Sequence, residues 1–347
     1  MSCDARHLGA VTRGRYAGLG CAPVSLLTRT IDAQPDVLAA VLEIDLRRAA
    51  ATLADTDRLW LVGTGTSQHA AELAALLLGT PARPAHACSA AWFCGCGPTP
   101  APGDGVVVIS HTGHTAYARR ARQRAADAGA ALVSITGAGC DWPEAVHTGP
   151  AERSETYTAS YTAALLTLAR LGLVLGARGY DEHELARLPR LLHAGEPGLD
   201  PPLDAAPERL VVIVGAGPFA VTAREGALKL REAAHLPAEG FESEYLLHGS
   251  AVPLDARDAL VVLEPAADRD GLTARVAAAA ATAGVHVHTV TAGYRGHPVL
   301  AQLPLTVALQ RLAARLAETA GTDPDTVIVG GWDDDALWEA GAPPAAN

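Results

Sequence analysis

Short apolar runs alternate with helix-like patterns along the chain. The runs at 59–62 and 106–109 each end in a turn of glycine and hydroxyl residues, and a helical pattern follows each turn. A third run at 131–135 precedes a long apolar helical pattern over 161–175. Short apolar runs that alternate with helices are typical of a parallel sheet covered by helices on both faces. The pattern therefore predicts an α/β fold.

The same pattern starts again in the second half of the chain. The segment 209–217 echoes 58–65, because both begin with Arg-Leu, continue as an apolar run and end in Gly-x-Gly. This self-similarity predicts a tandem repeat of one α/β unit. Within the first unit, residues 35–55 are expected to form a helix. The predicted organisation is an N-terminal arm over 1–30, a first unit over 31–180, a linker over 181–207, a second unit over 208–330 and a C-terminal tail over 331–347.

Composition narrows the choice of partner. The formal net charge is −11 and no basic stripe is visible, which disfavours nucleic acid as a partner. No segment approaches the ~18 uninterrupted apolar residues of a membrane span, and no signal peptide is recognisable. The cysteines lack the spacing of zinc or redox motifs, so they are expected to be reduced thiols of a cytoplasmic protein. They are Cys3, Cys21, Cys88, Cys94, Cys96 and Cys140.

One helical segment carries an unusual set of charges. Glu225, Lys229 and Glu232 are spaced four and three residues apart, which places all three on one face of a helix. Lys229 is the only lysine in the chain. Two carboxylates beside one ammonium group suit proton transfer, because the lysine favours the ionised carboxylate whereas burial opposes it. The alternative is a surface ladder of salt bridges, which is common on helices.

Two turns are rich in hydroxyl groups. Ser110, Thr112 and Thr115 surround Gly113 where a strand ends and a helix begins, and Thr66 and Ser67 occupy the corresponding turn after the first strand. Free N–H groups at a helix start, together with hydroxyls and a glycine, favour binding of a phosphate group. Ordinary helix capping is the alternative, since it also uses Ser and Thr. Two such turns are expected to face one crevice at the carboxyl edge of the sheet.

Cofactor motifs are weak. The turn at Gly63 and Gly65 has Gln68 where a dinucleotide fingerprint needs a third glycine, and the better match beginning at Gly215 lacks a following acid-capped strand. His111 and His114 lie three residues apart, but no third metal ligand is apparent nearby. We therefore expect no cofactor and no metal.

These motifs resemble the sugar isomerase (SIS) domain family. The similarity covers most of 30–325 and is strongest to the tandem-SIS isomerase half of glucosamine-6-phosphate synthase. That pattern includes Gly-Thr-Ser after the first strand, Ser-Gln-Ser-Gly-Glu-Thr after the second, Glu-Gly-Ala-Leu-Lys-Leu-Lys-Glu on a helix, and Lys-His-Gly-Pro beyond it. The corresponding segments here are Gly65-Thr66-Ser67, Ser110-His111-Thr112-Gly113-His114-Thr115, Glu225 to Glu232 with Arg231 as the one change, and Leu247-His248-Gly249-Ser250.

The resemblance implies a fold and a set of roles. It implies two SIS domains, each a flavodoxin-like three-layer sandwich. Glu232 matches the base that moves a proton between C1 and C2 of a sugar, and Lys229 matches the lysine near the enediol oxygens. His248 matches a ring-opening histidine that reaches the site from a neighbouring subunit, which implies a homodimer. The expected substrate-binding residues are Thr66, Ser67, Ser110, His111, Thr112, Thr115, Tyr157 and Glu225.

The departures from the family pattern are equally specific. Only the short arm precedes the first unit, so no glutaminase domain is expected, and Cys3 does not match its nucleophile. The family's C-terminal Pro-Arg-Asn-Leu-Ala-Lys segment is missing, and no lysine follows Lys229. A substrate loop of Ser-Thr-Lys has become Tyr157-Thr158-Ala159, and a glutamine has become His111. We expect the phosphate half of the site to be kept and the sugar half to be rebuilt.

The expected function is that of an amino-sugar-phosphate deaminase or ketose–aldose isomerase. Its substrate would resemble glucosamine 6-phosphate or fructose 6-phosphate, with free ammonia released or used. One alternative is an isomerising aminotransferase subunit fed by a separate glutaminase. Another is a non-catalytic regulator that binds a sugar phosphate, although no helix-turn-helix is evident in the short arm.

Overall fold

The computed structural model describes residues 24–195, 197–264 and 268–343. The first half contains, in chain order, α1 (Leu26–Val41), α2 (Arg47–Leu53), β1 (Arg58–Gly63), α3 (Thr66–Leu78), β2 (Ala85–Ser89), α4 (Ala90–Gly95), β3 (Asp104–Ile109), α5 (Ala116–Asp127), β4 (Ala131–Thr136), β5 (Ala145–His147), α6 (Ala159–Val174) and α7 (Glu182–His193). The second half contains β6 (Leu199–Asp200), β7 (Val211–Gly215), α8 (Pro218–Ala234), β8 (Ala238–Glu242), α9 (Ser243–Tyr245), a π-helical turn (Leu246–Ser250), β9 (Ala259–Glu264), α10 (Leu272–Thr282), β10 (His286–Thr291), α11 (Gln302–Ala320), a 3-10 turn (Gly330–Trp332) and α12 (Asp335–Trp338).

Each half builds one five-stranded sheet. The first has the order β2-β1-β3-β4-β5, and all of its neighbouring strands are parallel. The second has the order β6-β10-β9-β7-β8 and is parallel except for the edge strand β6. The predicted α/β fold, with a parallel sheet flanked by helices, is confirmed.

The first sheet is buried on both faces, as its apolar strands require. All six residues of β3 are buried. Along β1, Leu59 and Leu61 face one hydrophobic cluster, whereas Trp60 and Val62 face another that is completed by α4 and α5. Successive side chains of a strand point to opposite faces, so an uninterrupted apolar run needs a helical layer on each side.

The two halves share one continuous hydrophobic core. It includes residues of α3 and α6 from the first half and of α8 and α11 from the second. Helix α3 packs directly against α8, and α8 packs against α11. Because α3 begins at the turn after β1, this packing brings the charged face of α8 close to the hydroxyl turns.

Helix boundaries near the start of the chain differ from the expectation. Residues 35–55 form parts of two helices, because the chain leaves helical hydrogen bonding between α1 and α2. Helix α1 begins at Leu26, inside the expected arm, where Ser25 caps it and the Asp325 carboxylate accepts the N–H groups of Leu26 and Leu27. The rest of the arm, with Cys3 and Cys21, lies outside the described residues.

The stretch expected to be a linker also contains regular structure. Helix α7 buries Leu185, Leu188 and Leu192 against the first half, and β6 adds an edge strand to the second sheet. The leucines follow helical spacing, which identifies α7 as an amphipathic helix. The proline and glycine content of the remaining residues had obscured this signal.

Candidate active site

A cavity of about 590 Å³ opens at the carboxyl ends of β1, β3 and β4. The chain passes from β1 to β2 on one side and then returns to place β3 on the other side of β1, so the strand order changes direction at β1. Open α/β sheets bind ligands at such a switch point. Eight of the expected site residues line this cavity: Thr66, Ser67, Ser110, His111, Thr112, Thr115, Tyr157 and Glu232.

The first hydroxyl turn is shaped by two glycines. A Cβ on Gly63 would lie 2.4 Å from the backbone of Ser67, so only glycine allows the chain to fold back this closely. Gly65 has φ 56°, a conformation that favours glycine, and no side chain caps the helix that starts after it. The N–H groups of Ser67 and Gln68 donate to the carbonyls of Thr64 and Gly65, at 3.1 and 2.9 Å. The positive end of the α3 dipole still lies at this turn beside Ser67, which favours an anion in the cavity.

The second hydroxyl turn contains an unsatisfied group. Ser110 is 3% exposed, and its Oγ has no hydrogen-bond partner among the described residues although it lines the cavity. Thr115 occupies the N-cap position of α5 without making a side-chain cap bond. Thr112 Oγ1 accepts the N–H of His114 at 3.1 Å. Helix capping thus does not account for Ser110 or Thr115, and both hydroxyls are free to bind a ligand.

His111 forms part of the cavity wall as a neutral group. Burial lowers the pKa of its imidazole, and the opposing charge of Glu152 does not reverse this shift. Its Nε2 accepts the N–H of Glu152 at 3.1 Å, and its ring meets Tyr157 edge-on at 5.4 Å between centroids. His111 also borders a second cavity of about 220 Å³. No cluster of three or more metal-ligating side chains occurs among the described residues.

The three charges on α8 form a buried row. Lys229 is 1% exposed, and its Nζ lies 2.5 Å from Glu232 Oε2 and 3.5 Å from Glu225 Oε1. Burial raises the pKa of Glu232, against the opposing effect of Lys229. Burial acts on Glu225 in the same direction, but Lys229, His69 and Thr66 together lower its pKa. This geometry excludes a solvent-exposed ladder of salt bridges and leaves Glu232 as the member that reaches the cavity.

Three expected site residues lie away from the cavity lining. Glu225 is fully buried behind it and binds protein groups only, and Lys229 lies beside Glu225. The side chain of His248 is 73% exposed, and its nearest charged partner is Glu244 at 3.8 Å. It lies at a chain kink, immediately before Gly249, where φ is 107°. The structure therefore does not bring His248 into the cavity of its own chain.

The C-terminal segment that follows Asp325, which is longer than the predicted tail of 331–347, closes part of the cavity. The Glu155 carboxylate accepts the N–H groups of Val327 and Ile328 at 2.6 and 3.1 Å. Further along, Glu339 pairs with Arg119 of α5. The residues of this segment that line the cavity are Val327, Ile328, Asp333, Asp335 and Trp338. Only 4% of the residues are aromatic, so the two tryptophans in this segment, Trp332 and Trp338, were the sequence signal for its role.

A family model and several curated proteins match parts of this chain. The family model described as "SIS domain" matches residues 52–142. The chain is 29% identical over 337 residues to a glutamine–fructose-6-phosphate aminotransferase (isomerizing) from Caulobacter vibrioides, a match that covers 86% of this chain and 54% of that protein. A similar protein from Zymomonas mobilis is 27% identical, with 86% and 57% covered. The chain thus spans about half the length of these curated relatives.

Solved structures match nearly the whole chain. The C-terminal domain of glucosamine-fructose-6-phosphate aminotransferase from Francisella tularensis has a TM-score of 0.71 at 20% identity, covering 88% of this chain and 99% of that one. A glucosamine-6-phosphate deaminase from Thermotoga maritima has a TM-score of 0.72 at 18% identity, with 87% and 97% covered. At these identities the likeness concerns the fold.

Within the described part of the chain, no helix combines the length and apolar character needed to cross a bilayer. About half of the cavity lining comes from the matched region, and the rest comes from residues 148–164, from Glu232 on α8 and from the segment after Asp325. The chain therefore matches the SIS domain model at residues 52–142 and shares its overall fold with these two solved structures.

Proposed function

We propose that this protein is a SIS-type amino-sugar-phosphate deaminase or ketose–aldose isomerase. In the deaminase direction, an amino-aldose phosphate and water give a ketose phosphate and ammonia. The observation that carries the proposal is the position of Glu232. Its carboxylate reaches a cavity whose other walls hold free hydroxyls and helix N-termini. The names of the curated relatives and structural neighbours support the same substrate class.

The hydroxyl turns form the proposed phosphate subsite. No Lys or Arg side chain lines the cavity among the described residues. An anion must therefore be held by hydroxyls such as Ser110 and Thr115 and by backbone N–H groups at the start of α5, with the positive end of the α3 dipole nearby. Dipoles of this kind bind a phosphate without a global positive field, which suits a chain with a net charge of −11.

Glu232 is the proposed base. Its raised pKa makes the carboxylate a stronger proton acceptor than an exposed glutamate. The base takes a proton from one of the two adjacent carbons, C1 or C2, and returns it to the other. In this geometry Lys229 acts on Glu232 from behind, because it is buried and does not line the cavity. Its charge favours the ionised form of Glu232, whereas burial opposes that form.

The remaining assignments are proposals about assembly. We propose two SIS units, over 31–180 and 208–330, and a homodimer in which His248 enters the partner's cavity. The exposed position of His248 supports this, as do the exposed apolar side chains of Leu247 and Val252 beside it. Mixing Glu232→Gln and His248→Ala subunits by unfolding and refolding tests the shared site. About a quarter of wild-type turnover returns if the sites are shared, and none returns if each chain uses its own His248.

A second candidate function rests on the curated relatives, which are named as glutamine-dependent enzymes. The chain would then be an isomerising subunit that receives ammonia from a separate glutaminase. In that case glutamine supports turnover only in the presence of the second protein, whereas free ammonium supports it without one.

The direct test measures ammonia release and exchange of the proton at C2. The purified protein is incubated with glucosamine 6-phosphate in D₂O, and separately with fructose 6-phosphate and ammonium. Ammonia is measured by a coupled assay and deuterium at C2 by NMR. We expect turnover or exchange that is lost in Glu232→Gln and kept in Glu239→Gln, a matched change at an exposed glutamate on β8.

Full turnover in Glu232→Gln would exclude Glu232 as the base. If the wild-type protein shows neither turnover nor exchange with both substrates, it either acts on a different sugar phosphate or only binds one. A thermal-shift panel of other sugar phosphates separates these two explanations. A ligand that stabilises the fold and is then turned over identifies a different sugar. A ligand that binds without any turnover identifies a binding protein.

A further inference from the structure

His69 makes a short contact across the two halves of the molecule. It lies in the first turn of α3, three residues after Thr66, and its side chain is 14% exposed. Its Nδ1 is 2.6 Å from Oε2 of Glu225, which lies 156 residues away on α8. None of the sequence motifs had marked this histidine.

Glu225 is held from both sides. Oε2 receives the contact from His69, while Oε1 accepts the hydroxyl of Thr66 at 3.2 Å and lies 3.5 Å from the Lys229 ammonium. The carboxylate is fully buried. A buried carboxylate needs such partners, because each lost hydrogen bond leaves a charge without compensation in a low dielectric.

The position of Lys229 depends on how Glu225 is held. Lys229 lies between two carboxylates and is nearer to Glu232, at 2.5 Å, than to Glu225, at 3.5 Å. His69 and Thr66 draw the Glu225 carboxylate toward α3 and share its charge. Without His69, Glu225 would need the ammonium group more strongly, and Lys229 would move away from Glu232.

We propose that His69 is a positioning residue that, through Glu225, holds the Lys229 ammonium against Glu232. The other charged groups near this row are already engaged. On α3, Glu72 pairs with Arg224 of α8 and also accepts a bond from Gln68. On α6, the buried Tyr161 faces Glu225 as a neutral phenol, since burial raises its pKa. Within the described residues, His69 and Thr66 are the first-half groups that contact Glu225 directly.

The unique lysine provides a direct readout that does not require activity. Protein labelled with ¹³C and ¹⁵N lysine carries one labelled side chain, Lys229. Asparagine places its amide nitrogen near the position of histidine Nδ1, whereas glutamine places it near Nε2. The contact to Glu225 uses Nδ1. We expect His69→Asn to keep the wild-type Lys229 side-chain signals, and His69→Gln and His69→Ala to shift them.

Gln68→Ala is the matched control, because Gln68 lies on the same turn and its side-chain amide donates to Glu72 rather than to Glu225. It is expected to leave the Lys229 signals unchanged. If His69→Ala does not fold, the comparison of the two amide variants still decides the question. Identical Lys229 signals in wild type, His69→Asn and His69→Gln would overturn the proposal.

The catalytic consequence rests on the proposed function. Loss of a hydrogen bond to a charged group predicts a roughly 10- to 100-fold lower kcat in His69→Gln, with KM changed little because the hydroxyl turns remain. His69→Asn should keep most of the activity. A lysine signal that shifts while kcat stays unchanged would refute the catalytic half alone. If wild-type protein turns over no sugar phosphate, the proposed function fails while the NMR comparison still tests the role of His69.

Discussion

Replacing Lys229 by methionine is expected to lower the free energy of unfolding by about 3–5 kcal/mol at neutral pH. The substitution keeps the volume of a long unbranched side chain but removes the positive charge between the buried Glu225 carboxylate and the half-buried Glu232 carboxylate. Glu225 and Lys229 are 0% and 1% exposed, so water cannot replace the lost partner of Glu225. Breaking a buried pair from one side leaves an uncompensated charge, and this sets the size of the loss.

The distances set an upper limit to this effect. At an effective dielectric constant of about 20, contacts of 2.5 and 3.5 Å correspond to attractions of roughly 7 and roughly 5 kcal/mol. Desolvation of the three groups offsets most of that attraction. The net loss is therefore expected to be a fraction of the Coulomb sum.

The loss should depend on pH in a defined direction. Without the lysine, burial and mutual repulsion raise the folded-state pKa values of Glu225 and Glu232 above their unfolded values. The folded variant then binds more protons than the unfolded chain, so its stability decreases as pH rises through those raised pKa values. The deficit relative to wild type should be smaller at about pH 5 than at about pH 8.

Urea denaturation followed by tryptophan fluorescence measures both effects. Arg275→Met, on the exposed face of α10, is the control for loss of one positive charge. A double variant, Glu225→Gln with Lys229→Met, should recover much of the stability because one buried charge is also removed. A deficit below about 1 kcal/mol, or one that does not vary with pH, would refute the buried charge row.

Three further predictions concern catalysis and ligand binding. Burial raises the pKa of Glu232 above the usual glutamate value of 4.5, so kcat/KM should begin to fall above pH 4.5 as the pH is lowered. A kcat/KM that stays constant down to pH 4.5 would contradict this prediction. Removing residues 326–347 keeps the Asp325 cap on α1 but opens the cavity, so KM for a sugar phosphate should rise several-fold. An unchanged KM would show that this segment does not contribute to binding. Asp333 and Asp335 line the cavity and should repel a bound phosphate. The combined change Asp333→Asn and Asp335→Asn should therefore tighten inorganic phosphate binding about two- to five-fold in calorimetry at low salt, with a smaller gain at high salt. A Kd for phosphate that equals the wild-type value at low salt would contradict this repulsion.

The sequence alone was enough to predict the elements that carry the hydroxyl groups. The apolar runs ending at Val62 and Ile109 became buried strands, and the turns after them placed Ser67 and Ser110 at one cavity. Helical periodicity also placed Glu225 and Glu232 on one face. These features depend on neighbours within a few residues, so a local pattern specifies them.

Packing between distant segments decided the rest. The burial of Glu225 follows from the contact of α8 with α3, and its partners Thr66 and His69 lie 159 and 156 residues away in the chain. The segment after Asp325 is held at the cavity by Glu155, which accepts the N–H of Val327 and lies 172 residues before it. No local spacing encodes such pairings. Whether an expected site residue faces ligand, protein or solvent was therefore determined by the tertiary structure, because burial and long-range hydrogen bonds exist only once the two halves have packed together.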